Sequence, residues 1–304
     1  MITRNDLLRP DGSLSDGMFD VHLTPEKAGW SYSGLRVVSL APEGPPLVLD
    51  TAGDEMVVLP LSGSCVVACE GHEYELTGRE SVFERVTDFA YVPCDATVTL
   101  RSAGGGQFAL CTARTSRKLS PKYGPVEGVQ VETRGAGPAT RQVTNFLSPE
   151  VWDHADKLMC VELLTPDGNW SSYPPHKHDA SPECEANNEE IYYFRIGHAG
   201  RTDYAPSGFG MHRNYVPDSD PGTPYEIDTA VRDGDVFLIP RGYHGPCIAA
   251  PGYPMYYLNV LAGPGGERSM AFCDDPAHHW VRDEWAGMPT DPRCPMTNAD
   301  GPVA

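Results

Sequence analysis

The sequence predicts an all-β protein, a sandwich or barrel of many short strands, on three observations. Short apolar or alternating runs recur along the chain, and helical periodicity is weak. The 304 residues include 31 Gly and 29 Pro, a composition typical of strands joined by tight turns. The predicted strands are Leu35–Leu40, Met56–Leu61, Ser64–Cys69, Phe89–Val92, Phe108–Thr112, Cys160–Leu164, Ile191–Ile196, Val236–Pro240 and Met255–Val260. Short helices are predicted at Asp153–Leu158 and Pro276–Trp285.

Charge and hydropathy narrow the classes of partner. The formal net charge is -19 and the sequence pI is about 4.8, so nucleic acid and anionic membranes are not expected as partners. The first residues lack the apolar core of a signal peptide, and the sequence has no run of about 20 apolar residues. We therefore expect a cytoplasmic protein that acts on a small molecule. An anionic substrate would need a local cationic site on so acidic a protein.

The nine cysteines include no Cys-x-x-Cys pair. This pattern is not that of a disulfide framework or a structural zinc site. We expect reduced thiols that pack as small buried hydrophobic side chains.

Two halves of the chain resemble each other. Pro45–Asp50 matches Pro174–Asp179, and each is followed by an acidic pair that opens an apolar strand. Tyr91–Pro93 likewise matches Leu238–Pro240. The predicted organisation is an N-terminal unit at 25–115, a linker at 116–141, a second unit at 142–270 and a C-terminal segment at 271–304.

Only the second unit carries a complete set of candidate metal ligands. His176 and His178 are spaced to share one face of a strand, Glu190 opens the next strand, and His244 follows a Gly-x5-Pro-x-Gly-x turn. Three imidazoles and one carboxylate suit Zn, Mn, Fe, Ni or Co, and we favour Zn or Mn. The matching positions of the first unit are predicted to be Leu47, Leu49, Glu55 and Thr97, which cannot form such a site.

These stretches are the two cupin motifs, and longer segments resemble 5-deoxy-glucuronate isomerases. The resemblance covers about Thr24 to Trp285. It rests on the segments Ala28–Leu35, Gly78–Phe83, Gly168–Asp179, Glu189–Phe194, Arg241–Pro246 and Pro251–Pro264. It implies two tandem cupin barrels, each a double-stranded β-helix or jelly roll. The loop Ser181–Asn188, the segment Phe209–Tyr215, the pair Ser269–Met270 and the tail after Trp285 depart from the family pattern.

The family reaction, an aldose–ketose isomerisation in inositol catabolism, converts 5-deoxy-glucuronate into 5-dehydro-2-deoxy-gluconate. The resemblance therefore implies one divalent ion acting as a Lewis acid. Glu190 is the predicted catalytic base, with His212 and Tyr257 as alternatives, whereas Glu189 should face the other way along the strand. A hydride shift would need no base and stays open. Two roles are open for the aromatic side chains of Trp170, Tyr192 and Tyr193, which are to line the inside of the barrel or to pack in the hydrophobic core.

The substrate carboxylate needs a cation, and Arg134, Arg141, Lys177 and Arg213 are candidates. The resemblance favours Arg134 and Arg141, although both fit equally a role in binding the backbone of the other half. Tyr257 and His278 complete the predicted substrate-binding residues, and packing is the favoured role of His278.

Rival functions stay open at this point. They are a metal cupin isomerase for another sugar acid, an iron dioxygenase, a non-catalytic sugar-binding cupin and a purely structural oligomer. Association through the sheets into a homo-oligomer also fits the family.

Overall fold

The architecture in this computed structural model, which describes residues 2–218, 220 and 223–303, is nearly all β, as predicted. The strands of the first half are β1 (Leu8–Arg9), β2 (Phe19–Leu23), β3 (Ser33–Leu40), β4 (Leu47–Asp50), β5 (Asp54–Cys69), β6 (His72–Arg79), β7 (Phe89–Val92), β8 (Thr97–Arg101), β9 (Gly106–Arg114) and β10 (Lys122–Gly124).

The second half is also built from strands, with few helical turns. Its strands are β11 (Gln130–Arg134), β12 (Arg141–Asn145), β13 (Met159–Thr165), β14 (Trp170–Ser171), β15 (His176–Lys177), β16 (Glu189–Ile196), β17 (Phe209–Val216), β18 (Tyr225–Arg232), β19 (Val236–Ile239), β20 (Tyr243–Ala249), β21 (Met255–Ala262) and β22 (Cys273–Asp274). The described helices are α1 (Arg4–Leu7), α2 (Pro25–Ala28) and α3 (Val281–Glu284), with 3-10 turns at Val126–Gly128, Gly137–Ala139 and Trp285–Gly287. None of these described helices is long and apolar enough to cross a membrane.

The predicted strands fall within observed strands apart from Pro240, which lies one residue past the end of β19. Two of them, Met56–Leu61 and Ser64–Cys69, merge into the single strand β5. The predicted helix at Asp153–Leu158 is wrong. Three backbone N–H groups of this segment donate to the carboxylate of Glu55 and so cannot form intrahelical bonds. The predicted helix at Pro276–Trp285 is shortened to α3 and the 3-10 turn that follows.

Three sheets organise the strands. A nine-stranded sheet holds β2 to β10 from the first half of the chain. In the second half, a seven-stranded sheet has the order β1-β19-β16-β21-β13-β12-β11, and a six-stranded sheet holds β14, β15, β17, β18, β20 and β22. The N-terminal strand β1 thus pairs with β19 of the second half. The aromatic rings of Tyr192 (β16) and His212 (β17) lie 5.5 Å apart, so side chains of the two second-half sheets meet between them.

Two carboxylates, one buried (Glu55) and one partly buried (Glu189), join the halves in a reciprocal way. Glu55 in the first half accepts hydrogen bonds from the backbone N–H groups of residues 156–158 in the second half. Glu189 in the second half accepts from the backbone N–H groups of residues 31–33 in the first half. Glu189 therefore does face away from Glu190, as predicted, and it anchors the start of β16 to the other half.

The strand register corrects the predicted match between the halves by one residue. Glu190 lies opposite Ile239, and Met56 lies opposite Val92, which is the residue that matches Ile239. The counterpart of Glu190 is therefore Met56, and Glu55 is the counterpart of Glu189. Sequence comparison missed this because both strands open with two adjacent acidic residues.

The other matched positions of the first unit form no ligand set. Thr97 lies opposite Asp50, whereas His244 lies opposite His176. By register Asp50, rather than Leu47, therefore occupies the place of His176. Asp50 and Thr97 are both exposed.

A buried ion pair adds to the contact between the halves. The guanidinium of Arg79, on β6, pairs with the carboxylate of Glu162, on β13, and both side chains are almost fully buried. Tyr256 donates a hydrogen bond of 2.7 Å to the same carboxylate. A buried ion pair is costly to break from one side, because the remaining charge loses its partner without regaining water.

The expectation of reduced cysteines is wrong for one pair. Cys184 and Cys273 form a disulfide, with Cα atoms 5.5 Å apart and a sequence separation of 89. Pairing of β15 with β22 places Cys273 opposite Lys177, beside the loop that carries Cys184. Such a long separation leaves no spacing signal in the sequence. The other seven cysteines are free, and six of them are buried as expected.

Thiol counting tests this pairing. Protein purified without reductant and denatured with excess iodoacetamide should take up label on the seven free cysteines, and on all nine after reduction. Mass spectrometry measures the difference, and the Cys273→Ser variant should expose Cys184 to label. Labelling of all nine before reduction would contradict the disulfide.

Arg79→Met should lower the free energy of unfolding by about 3–5 kcal/mol, since it leaves Glu162 buried without its cation. Arg79→Met combined with Glu162→Gln should recover part of this loss, because the unpaired charge is then removed. Denaturant unfolding of the three proteins provides the measurement. A single variant that costs less than about 1 kcal/mol would show that the pair does not hold the halves together.

Candidate metal centre and ligand cavity

A cavity of about 630 Å³ opens in the second half, between strands of the seven-stranded sheet and the segment that carries His176 and His178. Strands β12, β13, β16 and β21 form one wall, and residues 269–272, 282 and 285 of the C-terminal part form another. Its polar and charged lining residues are Arg134, Arg141, Asn145, Glu150, Ser172, His176, His178, Glu190, Tyr192, Asn259, Ser269 and Arg282. The site predicted from sequence and the cavity therefore coincide.

Three of the four predicted metal ligands converge at this cavity. Possible ligand atoms of His178, Glu190 and His244 all lie within 4.8 Å of one another, and all three residues are buried. Nε2 of His178 lies 2.9 Å from Oε2 of Glu190, and Nε2 of His244 lies 3.1 Å from the same oxygen. The second contact lacks the alignment of a hydrogen bond, and His244 Nε2 has no other partner among the described residues.

The backbone sets the orientation of these imidazoles. Nδ1 of His178 lies 3.2 Å from the carbonyl oxygen of Asn188, and Nδ1 of His244 lies 3.4 Å from that of Gly242. A proton held on Nδ1 by a carbonyl leaves Nε2 with a free lone pair, the arrangement of a metal-binding histidine. Two such nitrogens and a carboxylate oxygen then face one another as acceptors. A cation would fit between these three atoms. Two imidazole nitrogens and one carboxylate oxygen are ligands that suit a divalent transition metal.

His176 stands at the edge of this group. Its Nδ1 lies 3.2 Å from the carbonyl oxygen of Pro174, so its Nε2 is available in the same way. Its ring lies 4.6 Å from that of His244 and 4.8 Å from that of Phe272. Burial and the neighbouring His244 lower the pKa of His176 well below its usual value, which keeps this imidazole neutral, as a metal ligand must be.

Electrostatics keep Glu190 ionised in spite of its burial. Burial raises the pKa of a carboxyl, but the imidazoles of His244 and His178 outweigh it and hold the pKa of Glu190 well below its usual range. For His178, burial lowers the pKa, and the carboxylate of Glu190 reverses this and raises it. The carboxylate of Glu190 and the imidazole of His178 thus each favour the charged form of the other.

Arg141 provides positive charge that no acidic side chain of residues 2–218, 220 and 223–303 neutralises through an ion pair. The residue is only 7% exposed. Its Nη1 donates a hydrogen bond of 3.1 Å to the carbonyl oxygen of Ala139, two residues earlier in the chain. Its Nε has no partner among the described residues. Burial, together with the nearby Arg134 and Arg282, lowers the pKa of Arg141 to about 10. A buried guanidinium of this kind is prepared to bind an anion in the cavity.

The other two arginines of the cavity already have acidic partners. Arg134 is half-exposed and pairs with Glu132 at 2.7 Å. Arg282, at the C-terminal segment, makes two bonds to Asp274, of 2.5 and 2.7 Å. Sequence analysis missed Arg282, because nothing in the local pattern indicates that the last segment folds back over the cavity.

The remaining predicted substrate-binding residues do not line this cavity. Lys177 is fully buried and paired with Asp220 and Glu183, because it follows His176 on β15 and points the opposite way. Arg213 and His278 line a separate groove, where Arg213 pairs with Glu226. Their predicted contacts with the substrate are therefore not supported by their positions.

Tyr257 lies one layer behind the cavity wall. Its hydroxyl is bonded to Ser172 at 2.8 Å and to Ser171 at 2.9 Å, and Ser172 itself lines the cavity with Tyr192. Sequence analysis left Tyr192 open between the cavity wall and the core and did not single out Ser172. Asn145 and Asn259 were missed as well, and only their place on inward-facing strand positions could have indicated them.

The alternative base His212 is fully enclosed. Its Nδ1 contacts the sulfur of Cys247 at 3.1 Å, and its ring packs 4.5 Å from that of Phe237. Burial lowers the pKa of His212 to about 3. It does not line the cavity that holds Glu190, so Glu190 is the better placed base.

The fold and the site together define a two-barrel cupin protein with a cluster of His and Glu side chains that could hold a metal ion in its second barrel. The model of the KduI/IolB family matches residues 7–281, and the chain belongs to this family.

Curated relatives and solved structures agree with this assignment. The chain is 38% identical over 282 residues to a 5-deoxy-glucuronate isomerase of Geobacillus kaustophilus, covering 91% of this chain and 95% of that protein. It is 34% identical over 275 residues to the enzyme of that name from Bacillus subtilis, covering 88% and 94%. An IolB-like protein from Salmonella typhimurium has a similar structure, with a TM-score of 0.79 and 31% identity over 90% of this chain and 98% of that one.

A more distant likeness concerns the fold alone. Oxalate decarboxylase from Lactobacillus farciminis superposes with a TM-score of 0.60 at 12% identity, covering 88% of each chain. The two-barrel architecture is thus shared with proteins whose sequences have diverged widely.

Substitution of the clustered ligands tests the metal centre. His178→Ala and Glu190→Gln should each lower the bound divalent metal from about one ion per chain to a small fraction of that, because each removes a ligand. His72→Ala, at an exposed position of the first half, should leave the metal content unchanged. Metal analysis of protein that has been loaded and then dialysed gives the result, and equal metal content in all three variants would contradict the site.

Proposed function

We propose that this protein is a metal-dependent aldose–ketose isomerase that converts 5-deoxy-D-glucuronate into 5-dehydro-2-deoxy-D-gluconate in myo-inositol catabolism. The observation that carries the proposal is one cavity lined by His178 and Glu190, with His244 in contact with Glu190, and also by Arg141, which forms no ion pair with the described residues. A sugar acid has a carbonyl with an adjacent hydroxyl at one end and a carboxylate at the other, which matches these two features. The names of the curated relatives support this substrate.

Arg141 would hold the substrate carboxylate. Its guanidinium is buried and has no acidic partner within the described part of the chain, so a carboxylate there gains a charge-assisted hydrogen bond that water does not replace. Arg134, at the mouth of the same cavity, adds positive charge that attracts an anion to an otherwise acidic protein. The aldehyde end is then directed toward the His and Glu side chains.

Glu190 would move the proton between C2 and C1. Its Oε2 faces both imidazoles, and its Oε1 makes no hydrogen bond to the described residues, so Oε1 is free to accept a proton from the substrate. The lowered pKa of Glu190 keeps it in the basic form. A bound divalent ion, held by His176, His178, Glu190 and His244, would supply Lewis-acid polarisation of the carbonyl. We favour Zn or Mn for this ion.

Two predictions from the sequence stay predictions. They are the cytoplasmic location and association into a homo-oligomer.

Proton NMR in D2O tests the reaction. Metal-loaded protein incubated with 5-deoxy-glucuronate should consume the aldehyde signal and produce a hydroxymethyl signal. Deuterium at the new carbon would support proton transfer by a base that exchanges with solvent, and its absence would support a shielded proton or a hydride shift. No turnover by the metal-loaded protein would contradict the proposed substrate, and other uronates and oxygen uptake would then separate an alternative isomerase from a dioxygenase.

Arg141→Met should raise KM for 5-deoxy-glucuronate by about 10- to 100-fold, since it removes a charge-assisted hydrogen bond. The KM of Arg141→Lys should fall between those of Arg141→Met and the wild type, because lysine keeps the charge but lacks the planar fork of donors. Arg134→Met, at a half-exposed residue that is already paired, should have a much smaller effect. Steady-state kinetics measure all three, and equal KM values for Arg141→Met and Arg134→Met would contradict the assigned role.

A further inference from the structure

A chain of buried hydroxyl groups ends at the wall of the cavity. The hydroxyls of Tyr192 and Ser172 lie 3.2 Å apart, those of Ser172 and Tyr257 lie 2.8 Å apart, and those of Tyr257 and Ser171 lie 2.9 Å apart. All four residues are almost fully buried, and Ser172 and Tyr192 line the cavity beside Glu190. We call these four residues the hydroxyl chain.

The direction of the hydrogen bonds in this chain can be counted, because each hydroxyl has one proton to donate. Ser171 donates to the carbonyl oxygen of Cys247, and Tyr257 donates to Ser171. Ser172 must then donate to Tyr257, and Tyr192 must donate to Ser172. Every proton therefore points inward, toward the backbone carbonyl, and the end at the cavity presents oxygen lone pairs.

The backbone at Ser172 provides an independent indication. Ser172 has a φ of 46°, a left-handed conformation that is unfavourable for a residue with a side chain and that is concentrated at functional sites. Gly245 packs directly against it, since a Cβ atom at Gly245 would lie 1.9 Å from the carbonyl oxygen of Ser172. The surroundings thus hold Ser172 in a strained conformation at the cavity wall, with its hydroxyl between those of Tyr192 and Tyr257.

We infer that the Tyr192–Ser172 end of the hydroxyl chain is a subsite that accepts a hydrogen bond from a hydroxyl group of the bound sugar acid. The subsite complements Arg141, which binds the carboxylate. It selects against acids that lack a hydroxyl at that position, because the buried hydroxyl oxygens of Tyr192 and Ser172 are then left without a hydrogen-bond donor. The identity of the sugar acid rests on the proposed function, whereas recognition of a hydroxyl does not.

Binding of two simple acids tests the subsite without turnover. Gluconate carries a hydroxyl on each carbon of its chain apart from the carboxylate, and hexanoate has the same length without hydroxyls. In metal-loaded protein, Tyr192→Phe and Ser172→Gly should each weaken gluconate binding by about tenfold or more and leave hexanoate binding unchanged. Glycine suits the backbone at position 172, so Ser172→Gly removes the hydroxyl without adding strain.

Tyr193→Phe is the matched control. This substitution also removes a tyrosine hydroxyl from β16, but Tyr193 lies on the opposite face of the strand and outside the cavity. The Tyr193→Phe variant should bind gluconate as the wild type does.

Titration calorimetry, with metal analysis of each variant, separates the outcomes. Unchanged gluconate affinity in both Tyr192→Phe and Ser172→Gly, or equal losses in Tyr193→Phe, would overturn the subsite. So would a wild-type protein that binds gluconate no better than hexanoate. The predicted binding pattern in a protein that does not turn over 5-deoxy-glucuronate would support the subsite and overturn the proposed function alone.

Discussion

The carboxylate of Glu190 is the constraint on which the second barrel depends. A buried carboxylate is costly unless a cation and hydrogen-bond donors compensate it. Here Oε2 of Glu190 faces Nε2 of both His178 and His244, and backbone carbonyls orient those imidazoles from the far side. Strands β16, β20 and the His176–His178 segment must therefore meet at fixed register for the charge to be tolerated.

The first half supports this register although its matched positions hold no ligand set. Glu189, next to Glu190, fixes the start of β16 by accepting three backbone N–H groups of residues 31–33. Glu55 makes the corresponding contact in the other direction. Met56, the counterpart of Glu190 in the first half, is part of a second hydrophobic core. The first barrel thus packs without such a ligand set and anchors the second.

Contiguous patterns in the sequence predicted much of the site. The His176–His178 spacing, the acidic start of β16 and the turn before His244 each follow from the periodicity of a single strand or turn, and such local signals persist in the fold. The all-β class followed in the same way from short runs and turn residues.

Features that depend on distant contacts could not be predicted. Arg282 reaches the cavity only because the C-terminal segment folds back, and Cys184 meets Cys273 across 89 residues. The helix expected at Asp153–Leu158 failed because its N–H groups serve Glu55, in the other half. In each case a partner far away in sequence decides the local structure.

The location of the ion is the most direct test of this account. An anomalous difference map from crystals of the metal-loaded protein, collected at the absorption edge of the metal, should show one strong peak in the second barrel. The account predicts that the peak lies about 2.0–2.3 Å from Nε2 of His178, Nε2 of His244 and an oxygen of Glu190. A peak at another place, or density between these side chains with no anomalous signal, would contradict it.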